Sequence, residues 1–178
     1  MTAAVPEDLR MTPMLKQYAQ WKKRYPDCLL FFRMGDFYEM FFEDARVASS
    51  LLDIALTARD PGKKIPMAGV PFHSVDGYLE RLVASGYKVA ICEQVSEPDG
   101  RTLVDRQVVR VVTPGTFLPG DSASEGRLAC VDVLPDGVAV ALLNFATGRL
   151  LAGTLDHAPA RSELAGFSPS EVLCPSGQ

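Results

Sequence analysis

Residues 31–42 read Phe-Phe-Arg-Met-Gly-Asp-Phe-Tyr-Glu-Met-Phe-Phe, two apolar runs separated by Gly35-Asp36. Apolar runs of this length on either side of a glycine-containing dipeptide predict two strands joined by a tight turn or a bulge. Because side chains alternate across a strand, we expect Phe37 and Glu39 to share one face, and Tyr38 and Met40 to share the other.

Two interpretations of this pair stay open from the pattern alone. An aromatic ring beside a carboxylate on an exposed face suits contact with a stacked base, because the ring can insert at a base step and the carboxylate can bind a base edge. Against this, residues 31–42 contain five phenylalanines, and aromatic side chains are usually buried in a core. Glu39 taken alone is typical of a solvated surface acid.

The segments around this hairpin predict helices and strands without regular alternation, which indicates a mixed α/β domain over residues 1–118. Thr12-Pro13 is typical of a helix start and Pro26 of a helix end. Residues 65–71 contain two prolines and a glycine, so we expect an edge strand or an ordered loop there. Helices are predicted over residues 13–25, 44–52 and 74–85, and strands over 28–34, 37–42, 54–58, 87–95 and 103–112.

The second part of the chain begins after a stretch rich in Pro, Gly, Ser and Asp, which predicts a linker over residues 119–126. Beyond it, residues 128–134, 138–145 and 149–155 are joined by turn sequences and predict a three-stranded antiparallel meander. A short helix near Arg161 and a strand over residues 171–174 follow. So few elements form a thin core, and we expect the domain over residues 127–178 to be cut short.

Composition and charge set broad limits on function. Hydrophobic residues make up 47% and charged residues 22% of the 178, as in a folded soluble protein. No apolar run is long enough to span a bilayer and the N-terminus lacks a secretory signal, so we expect a cytoplasmic protein. Residues 1–119 carry equal numbers of basic and acidic side chains, and residues 120–178 account for the net charge of −4. Charge alone therefore does not predict nucleic-acid binding.

The four cysteines lie at least 38 residues apart, and each belongs to an apolar run. A metal or redox site needs closer pairs, so we expect buried free thiols at Cys28, Cys92, Cys130 and Cys174. The two histidines have no ligand-like partners. The sequence predicts no metal and no cofactor in this chain.

Five segments follow one another along the chain: GDFYEMF (35–41), LLDIALTAR (51–59), IPMAGVPFH (65–73), VAICEQV (89–95) and VVRVVTPGT (108–116). In this order they resemble MutS-type mismatch repair proteins. The resemblance covers residues 12–118 almost continuously and 127–174 more loosely. It implies a mismatch-recognition domain with a mixed sheet flanked by helices over residues 1–118, followed by the first part of an RNase H-like connector domain over 127–178.

The resemblance also implies a role for individual residues. Phe37 corresponds to a phenylalanine that wedges into the minor groove and stacks on a mispaired or unpaired base, and Glu39 to a glutamate that hydrogen-bonds to that base. Arg59 and Arg106 correspond to positions that touch the DNA backbone, and His73 lies in a segment near the groove. Weaker candidates, for which an ordinary surface or packing role fits equally well, are Lys63, Lys64, Arg110, Pro66 and Met67.

The ATP and magnesium of the full-length family are expected elsewhere, because this sequence contains no Gly-x-x-x-x-Gly-Lys-Ser/Thr motif. We therefore expect a binding module and not an enzyme. The partners implied are double-stranded DNA with mispaired or unpaired bases, a second copy in the full-length homodimer, and a downstream repair factor that contacts the connector domain, with no membrane. The implied location is the bacterial cytoplasm, in association with the nucleoid.

Three alternatives remain. A MutS relative devoted to recombination intermediates is disfavoured, because such relatives lack either the whole first domain or the Phe-x-Glu pair that Phe37 and Glu39 form. A module that only docks partner proteins through the connector domain would show no mismatch-dependent DNA binding. An RNase H-like nuclease needs several converging carboxylates, and Asp132 and Asp136 have no further clustered acids.

Overall fold

The computed structural model describes residues 11–60, 62, 65–96, 103–117 and 126–176. The chain divides into two units, Met1–Val112 and Thr113–Gln178. Residues 118–125, which hold the predicted domain boundary and most of the predicted linker, lie outside the described residues, so the domain limits at 118 and 126 stay a prediction.

The first unit is built on a six-stranded mixed sheet with strand order β3-β4-β2-β1-β5-β6. Strands β1 and β5 run parallel and every other neighbouring pair is antiparallel. This arrangement confirms the predicted mixed α/β class. The elements are α1 (Pro13–Arg24), β1 (Cys28–Met34), β2 (Phe37–Phe41), α2 (Phe42–Leu52), β3 (Thr57–Ala58), β4 (Pro66–Pro71), α3 (Val75–Ala84), β5 (Lys88–Gln94) and β6 (Arg106–Val112), with a short 3₁₀ turn at Phe72–Ser74.

The β1–β2 hairpin closes with a two-residue turn, because Met34 pairs with Phe37. Gly35 has a φ of +59°, a conformation that glycine adopts without the steric penalty a Cβ would bring. A glycine with positive φ at the first central position is typical of the tight hairpin turns that match strand twist. The predicted turn at Gly35-Asp36 is therefore confirmed, and it places Phe37 at the first position of β2.

Both faces of the sheet are covered. On one face, which we call the α1 face, the Tyr18 ring of α1 contacts the Phe32 and Phe41 rings edge-on, with ring centres 5.5 and 5.0 Å apart. Residues of the opposite face, such as Phe31 and Met40, are also fully buried. Helices α2 and α3 contact each other and strands β2, β4 and β5. The core thus lies on both sides of the strands that carry the 31–42 segment.

A buried ion pair connects α1 to α2. The Lys22 ammonium lies 2.8 Å from the Asp44 carboxylate, and both side chains are almost completely buried. Asp44 also accepts hydrogen bonds from the Tyr18 hydroxyl at 2.8 Å and the Leu30 backbone N–H at 3.1 Å, while Lys22 donates to the Cys28 carbonyl. Every charge in this cluster has several partners, which is the condition under which buried charges are tolerated.

Two predictions for the first unit need correction. Residues 65–71 were expected to form an edge strand or a loop, yet β4 lies between β3 and β2. Its prolines, Pro66 and Pro71, occupy the first and last positions, where a missing backbone N–H disturbs the ladder least. The strand predicted over 54–58 is reduced to Thr57–Ala58, so β4 has only a two-residue neighbour on its outer side.

The second unit contains a four-stranded sheet with order β10-β7-β8-β9. Strands β7, β8 and β9 pair antiparallel, which confirms the predicted meander, and β10 runs parallel to β7. Helix α4 supplies Ala160 to a small buried cluster with residues of β7 and β8. The bounds are β7 (Arg127–Leu134), β8 (Gly137–Asn144), β9 (Arg149–Leu155), α4 (His157–Phe167) and β10 (Glu171–Leu173).

The cysteines of the two units differ in exposure. Cys28 and Cys92 are buried, and burial raises the pKa of Cys28 to about 11 and that of Cys92 to about 12, so both thiols stay protonated. Cys130 and Cys174 are exposed, so the expectation that all four are buried was wrong. The reason is visible at Ala129, which is fully buried in the cluster that α4 joins. Its neighbour Cys130 must point to the other face of β7, where no described helix covers it.

Candidate nucleic-acid interface

Phe37 differs from the other phenylalanines of the 31–42 segment because its ring is exposed. It is 46% exposed, whereas Phe31, Phe32 and Phe41 are fully buried. The interpretation of this segment as core therefore holds for its neighbours and fails for Phe37. An exposed aromatic ring at the edge of a turn is available for contact with another molecule.

Glu39 lies on the same face as Phe37, as the strand alternation predicted. In the sheet register Phe37 is opposite Pro71 of β4, and Glu39 is opposite Gly69 of β4 and Phe32 of β1. This places ring and carboxylate two residues apart on the α1 face, next to a position without a side chain. The pair that the sequence singled out is therefore held in one local arrangement.

The Glu39 carboxylate is poorly satisfied. Its side chain is 20% exposed, but the Oε2 atom itself is shielded from solvent and accepts no hydrogen bond from any residue that the structure describes. Arg59 Nη1 is 3.6 Å from Oε2, which is within ion-pair range and too long for a hydrogen bond. Burial raises the pKa of Glu39, and the charges of Arg59 and Arg106 only partly oppose that rise. The Oε2 atom therefore retains the capacity to accept a hydrogen bond.

Gly69 leaves the space beside this pair open, and the sequence interpretation assigned it no role. A Cβ at this position would lie 3.4 Å from the Tyr38 carbonyl oxygen, 3.6 Å from Glu39 Cγ and 3.8 Å from Phe37 Cδ1. A glycine inside a strand often marks a close approach of another group, which was the signal in the sequence that could have found it.

Arg59 and Met67 lie near the pair. Arg59 follows β3, and its backbone N–H donates to the Ile65 carbonyl at 3.0 Å, which holds the residue in place. Its guanidinium is partly exposed and faces Glu39. Met67 lies opposite Phe41 in the register and packs against the core on the α1 face. The structure thus brings Phe37, Glu39 and Arg59 together, with Met67 on the adjoining core.

Arg106 is buried and bonded within the fold. Its Nε donates to the Arg33 carbonyl at 2.7 Å and its Nη1 to the Val104 carbonyl at 2.8 Å, and its guanidinium lies 5.0 Å from the centre of the Phe32 ring. Arg106 influences Glu39 through its charge. The predicted contact between Arg106 and the DNA backbone stays a prediction. The Arg106 side chain also lines a cleft of about 740 Å³. The other residues that line this cleft are Gln17, Gln20, Trp21, Lys23, Arg24, Asp105 and Gln107.

The remaining candidates are dispersed. His73 is exposed on the 3₁₀ turn after β4, with its ring edge-on to Phe72. Arg110 is exposed on β6 and pairs with Ile91, which shares a face with Phe31, so Arg110 lies on the face opposite Phe37. Lys63 and Lys64 lie outside the described residues. The predicted DNA contacts of His73, Arg110, Lys63 and Met67 stay predictions.

The described residues give no sign of other site types. Among residues 11–60, 62, 65–96, 103–117 and 126–176, no group of three or more His, Cys, Asp or Glu is close enough to hold a metal ion. Within the same ranges, no helix combines the length and apolar character needed to cross a membrane.

Comparison with known proteins identifies the family to which the chain belongs. The family model of MutS domain I matches residues 12–121, the part of the chain that contains Phe37, Glu39 and the six-stranded sheet. The chain belongs to the MutS family, because this match covers more than half of its residues.

Individual relatives agree with this class. The chain is 50% identical over 172 residues to the "DNA mismatch repair protein MutS" of Syntrophomonas wolfei, a match that covers 91% of the chain and 20% of the relative. It is 47% identical over 178 residues to the protein of the same name from Anaeromyxobacter sp., covering 97% of the chain and 20% of the relative. The protein of that name from Pelotomaculum thermopropionicum is 45% identical over 171 residues, with 91% and 20% covered. The chain spans about one fifth of the length of these relatives.

Proposed function

We propose that this chain recognises mispaired or unpaired bases in double-stranded DNA, as a step of DNA mismatch repair. In this proposal Phe37 inserts into the minor groove and stacks on the affected base, and Glu39 hydrogen-bonds to that base. The observation that carries it is one local arrangement: an exposed Phe37 ring beside the shielded Glu39 Oε2, which has no hydrogen-bond donor among the described residues.

Selectivity in this proposal comes from the deformability of DNA. Unstacking and kinking a duplex at a base step costs a few kcal/mol. A mispair or an unpaired base has already lost part of its stacking and pairing energy, so the same distortion costs less there. A single apolar ring can therefore find errors without reading sequence, and Phe37 is the exposed ring on the α1 face that the geometry offers.

Glu39 adds a second contribution. A carboxylate near the phosphates of DNA is repelled by them, which weakens binding to intact duplex. Burial already raises the pKa of Glu39 in the free protein, and proximity to a polyanion raises a carboxyl pKa further. In the bound state the protonated carboxyl then donates a hydrogen bond to a base acceptor. This bond offsets the repulsion from the phosphates only at a mispaired or unpaired base, which the carboxyl can reach.

The wider assignment is also part of the proposal. The chain acts as a binding module and not as an enzyme, within a longer ATP-dependent protein. No residues of this sequence fit a phosphate-binding loop, so ATP and magnesium enter no step here. Among the described cations, Arg59 is placed for contact with the DNA backbone, since its guanidinium is partly exposed beside Glu39. A second copy and a downstream repair factor that contacts residues 127–178 are the proposed protein partners.

Fluorescence anisotropy tests the proposal directly. The 178-residue chain is titrated into a duplex with one unpaired T and into its matched twin at low salt, where electrostatic contributions are largest. We expect the wild type to prefer the unpaired T, and Phe37→Ala to remove that preference while the affinity for the matched duplex stays within about twofold, because Phe37 carries no charge.

A control variant tests whether the effect is specific to Phe37 or follows from removing any exposed aromatic ring. Tyr87 is 37% exposed and follows α3, away from the hairpin turn, so Tyr87→Ala should keep the preference. Thermal melts of both variants should stay cooperative and shift by similar small amounts, because each variant removes a partly exposed ring. Equal binding of both duplexes by the wild type, or an unchanged preference in Phe37→Ala, would refute the proposed mechanism. Metal-dependent cleavage of the duplex would instead favour the nuclease alternative.

A further inference from the structure

The Gly35-Asp36 turn, which precedes Phe37, is held by two hydrogen bonds from residues outside the turn. Arg33 Nε donates a hydrogen bond to the Gly35 carbonyl at 2.5 Å. The Phe72 backbone N–H donates to the Asp36 carbonyl at 3.0 Å. Both carbonyl groups of the two-residue turn therefore have a fixed donor, one from a side chain and one from the backbone after β4.

Arg33 connects these two attachments. Its guanidinium lies 3.5 Å from the centre of the Phe72 ring, stacked over the residue that bonds Asp36. Its Nη1 is 3.6 Å from the Glu93 carboxylate on β5, and the Tyr38 hydroxyl donates to that same carboxylate. The Arg33 side chain is only 17% exposed. It is thus engaged on three sides and poorly placed to contact another molecule.

We propose that Arg33 is a positioning residue that fixes the orientation of the Phe37 ring for insertion into DNA. This inference rests on the proposed function. An aromatic ring on a mobile turn would lose conformational freedom when it inserts, and that cost would be added to the cost of unstacking the duplex. A turn fixed in advance avoids the added cost, as a supporting layer of contacts does for other binding sites.

The chemistry of arginine is specific to this role. The planar guanidinium stacks on Phe72 and donates through Nε to Gly35 at the same time. A lysine ammonium keeps the positive charge opposite Glu93, but it has neither the planar surface nor the Nε donor. Arg33→Lys therefore separates positioning from charge, because a residue that acted only through its charge would be replaced by lysine without loss.

The test uses the 178-residue chain with Arg33→Lys, Phe37→Ala and the double variant. Two quantities are measured: the ratio of affinities for the unpaired-T and matched duplexes, and amide hydrogen exchange of residues 35–38 without DNA. We expect Arg33→Lys to lower the ratio about tenfold and to speed exchange in the turn, while matched-duplex affinity stays within about twofold. In the Phe37→Ala background, Arg33→Lys should change the ratio no further, since coupled residues are non-additive.

Each outcome is decisive. If amide hydrogen exchange of residues 35–38 is the same in Arg33→Lys as in the wild type, the inference is overturned, whether or not the chain binds DNA. The inference is also overturned if Arg33→Lys still lowers the affinity ratio in the Phe37→Ala background. If Phe37→Ala keeps the preference, the proposed function fails as well. If Phe37→Ala loses it while Arg33→Lys keeps it, only the role of Arg33 fails. Phe72→Leu, which retains all charges and removes the stacking ring, should reproduce the Arg33→Lys result.

Discussion

Two carboxylates of the first unit, Asp44 and Glu39, are both largely shielded from solvent but differ in their hydrogen-bond partners. Asp44 is 3% exposed and receives the Lys22 ammonium, the Tyr18 hydroxyl and a backbone N–H. Glu39 has one oxygen equally hidden from solvent, and that oxygen has no hydrogen bond from a described residue. The Asp44 carboxylate is hydrogen-bonded within the fold, whereas the Glu39 Oε2 atom can still accept a hydrogen bond.

The difference separates a carboxylate that the fold satisfies from one that it leaves unsatisfied. A buried polar atom without a partner lowers the stability of a fold, so it calls for an explanation such as an ordered water or a bound molecule. Asp44 connects α1, β1 and α2, and its partners all belong to the same fold. Glu39 lies beside the exposed Phe37 ring and beside Gly69, where a partner from outside can approach.

The largest expected effect is on stability at Asp44. Asp44→Ala leaves the buried Lys22 charge without its ion-pair partner, which should lower the free energy of unfolding by about 3–5 kcal/mol. Urea unfolding followed by fluorescence of Trp21, the single tryptophan of the chain, reports on the first unit. The double variant Lys22→Met with Asp44→Leu should lose less, because no charge stays buried alone. A loss below about 1 kcal/mol in Asp44→Ala would contradict the structural role.

The next effect is on DNA selectivity at Glu39. Glu39→Gln keeps a hydrogen-bonding group and removes the charge repelled by phosphates, so affinity for the mismatched duplex should hold or rise. Affinity for the matched duplex should rise more, which narrows the preference by roughly threefold to tenfold. Glu43→Gln, the same change at an exposed acid in the first turn of α2, is the control and should leave the preference intact. A large affinity loss confined to the mismatch would contradict this role.

A smaller effect is expected in the pH dependence of stability. Because the pKa of Glu39 is raised above its ordinary value of 4.5, the folded state binds more protons than the unfolded state between these two pKa values. Stability from this group is therefore present below pH 4.5 and is lost as the pH rises through the folded pKa. Glu39→Gln should then be more stable than the wild type at pH 7, by less than about 1 kcal/mol after solvent screening.

Urea unfolding at pH 4 and pH 7 checks this prediction, and the advantage of Glu39→Gln should disappear at the lower pH. Glu43→Gln again serves as the comparison, since that side chain is exposed. An advantage that grows as the pH falls would mean that the Glu39 charge is stabilised in the fold, as the Asp44 cluster is.

The smallest effect concerns Arg59. Its charge opposes the rise of the Glu39 pKa, so Arg59→Gln should raise that pKa further. Carbon NMR of the Glu39 carboxyl group over a pH titration measures the shift. Arg110→Gln removes the same charge from the opposite face of the sheet and should leave the Glu39 titration unchanged. Equal shifts in both variants would show a general effect of net charge.

Local features of the fold were predictable because a few neighbouring residues determine them. The α1 start at Pro13, with Thr12 accepting from the Leu15 N–H, and the hairpin turn at Gly35 are encoded within three or four positions. The alternation that places Phe37 and Glu39 on one face is equally local. The pattern alone left the exposure of Phe37 undecided, because its neighbours in the same run are core, and only the family resemblance implied it.

The unpredicted features depend on contacts between distant positions. Asp44 lies 22 residues from Lys22, and Arg106 donates to a carbonyl 73 residues away. No periodicity records such contacts, so the burial of Arg106 could not be anticipated from the sequence pattern. The exposure of Cys130 likewise depends on which face α4 covers, and the apolar run around this residue does not contain that information.

Gly69 gives an accessible route by which selectivity could change during evolution. An added methyl group would meet its neighbours only at ordinary contact distances, so Gly69→Ala should fold. Yet that methyl group would lie against both the Phe37 ring and the Glu39 side chain and reduce the open space between them. Under the proposed function, this one small substitution on a neighbouring strand would alter which mispaired or unpaired bases are bound, while Phe37 and Glu39 stay unchanged.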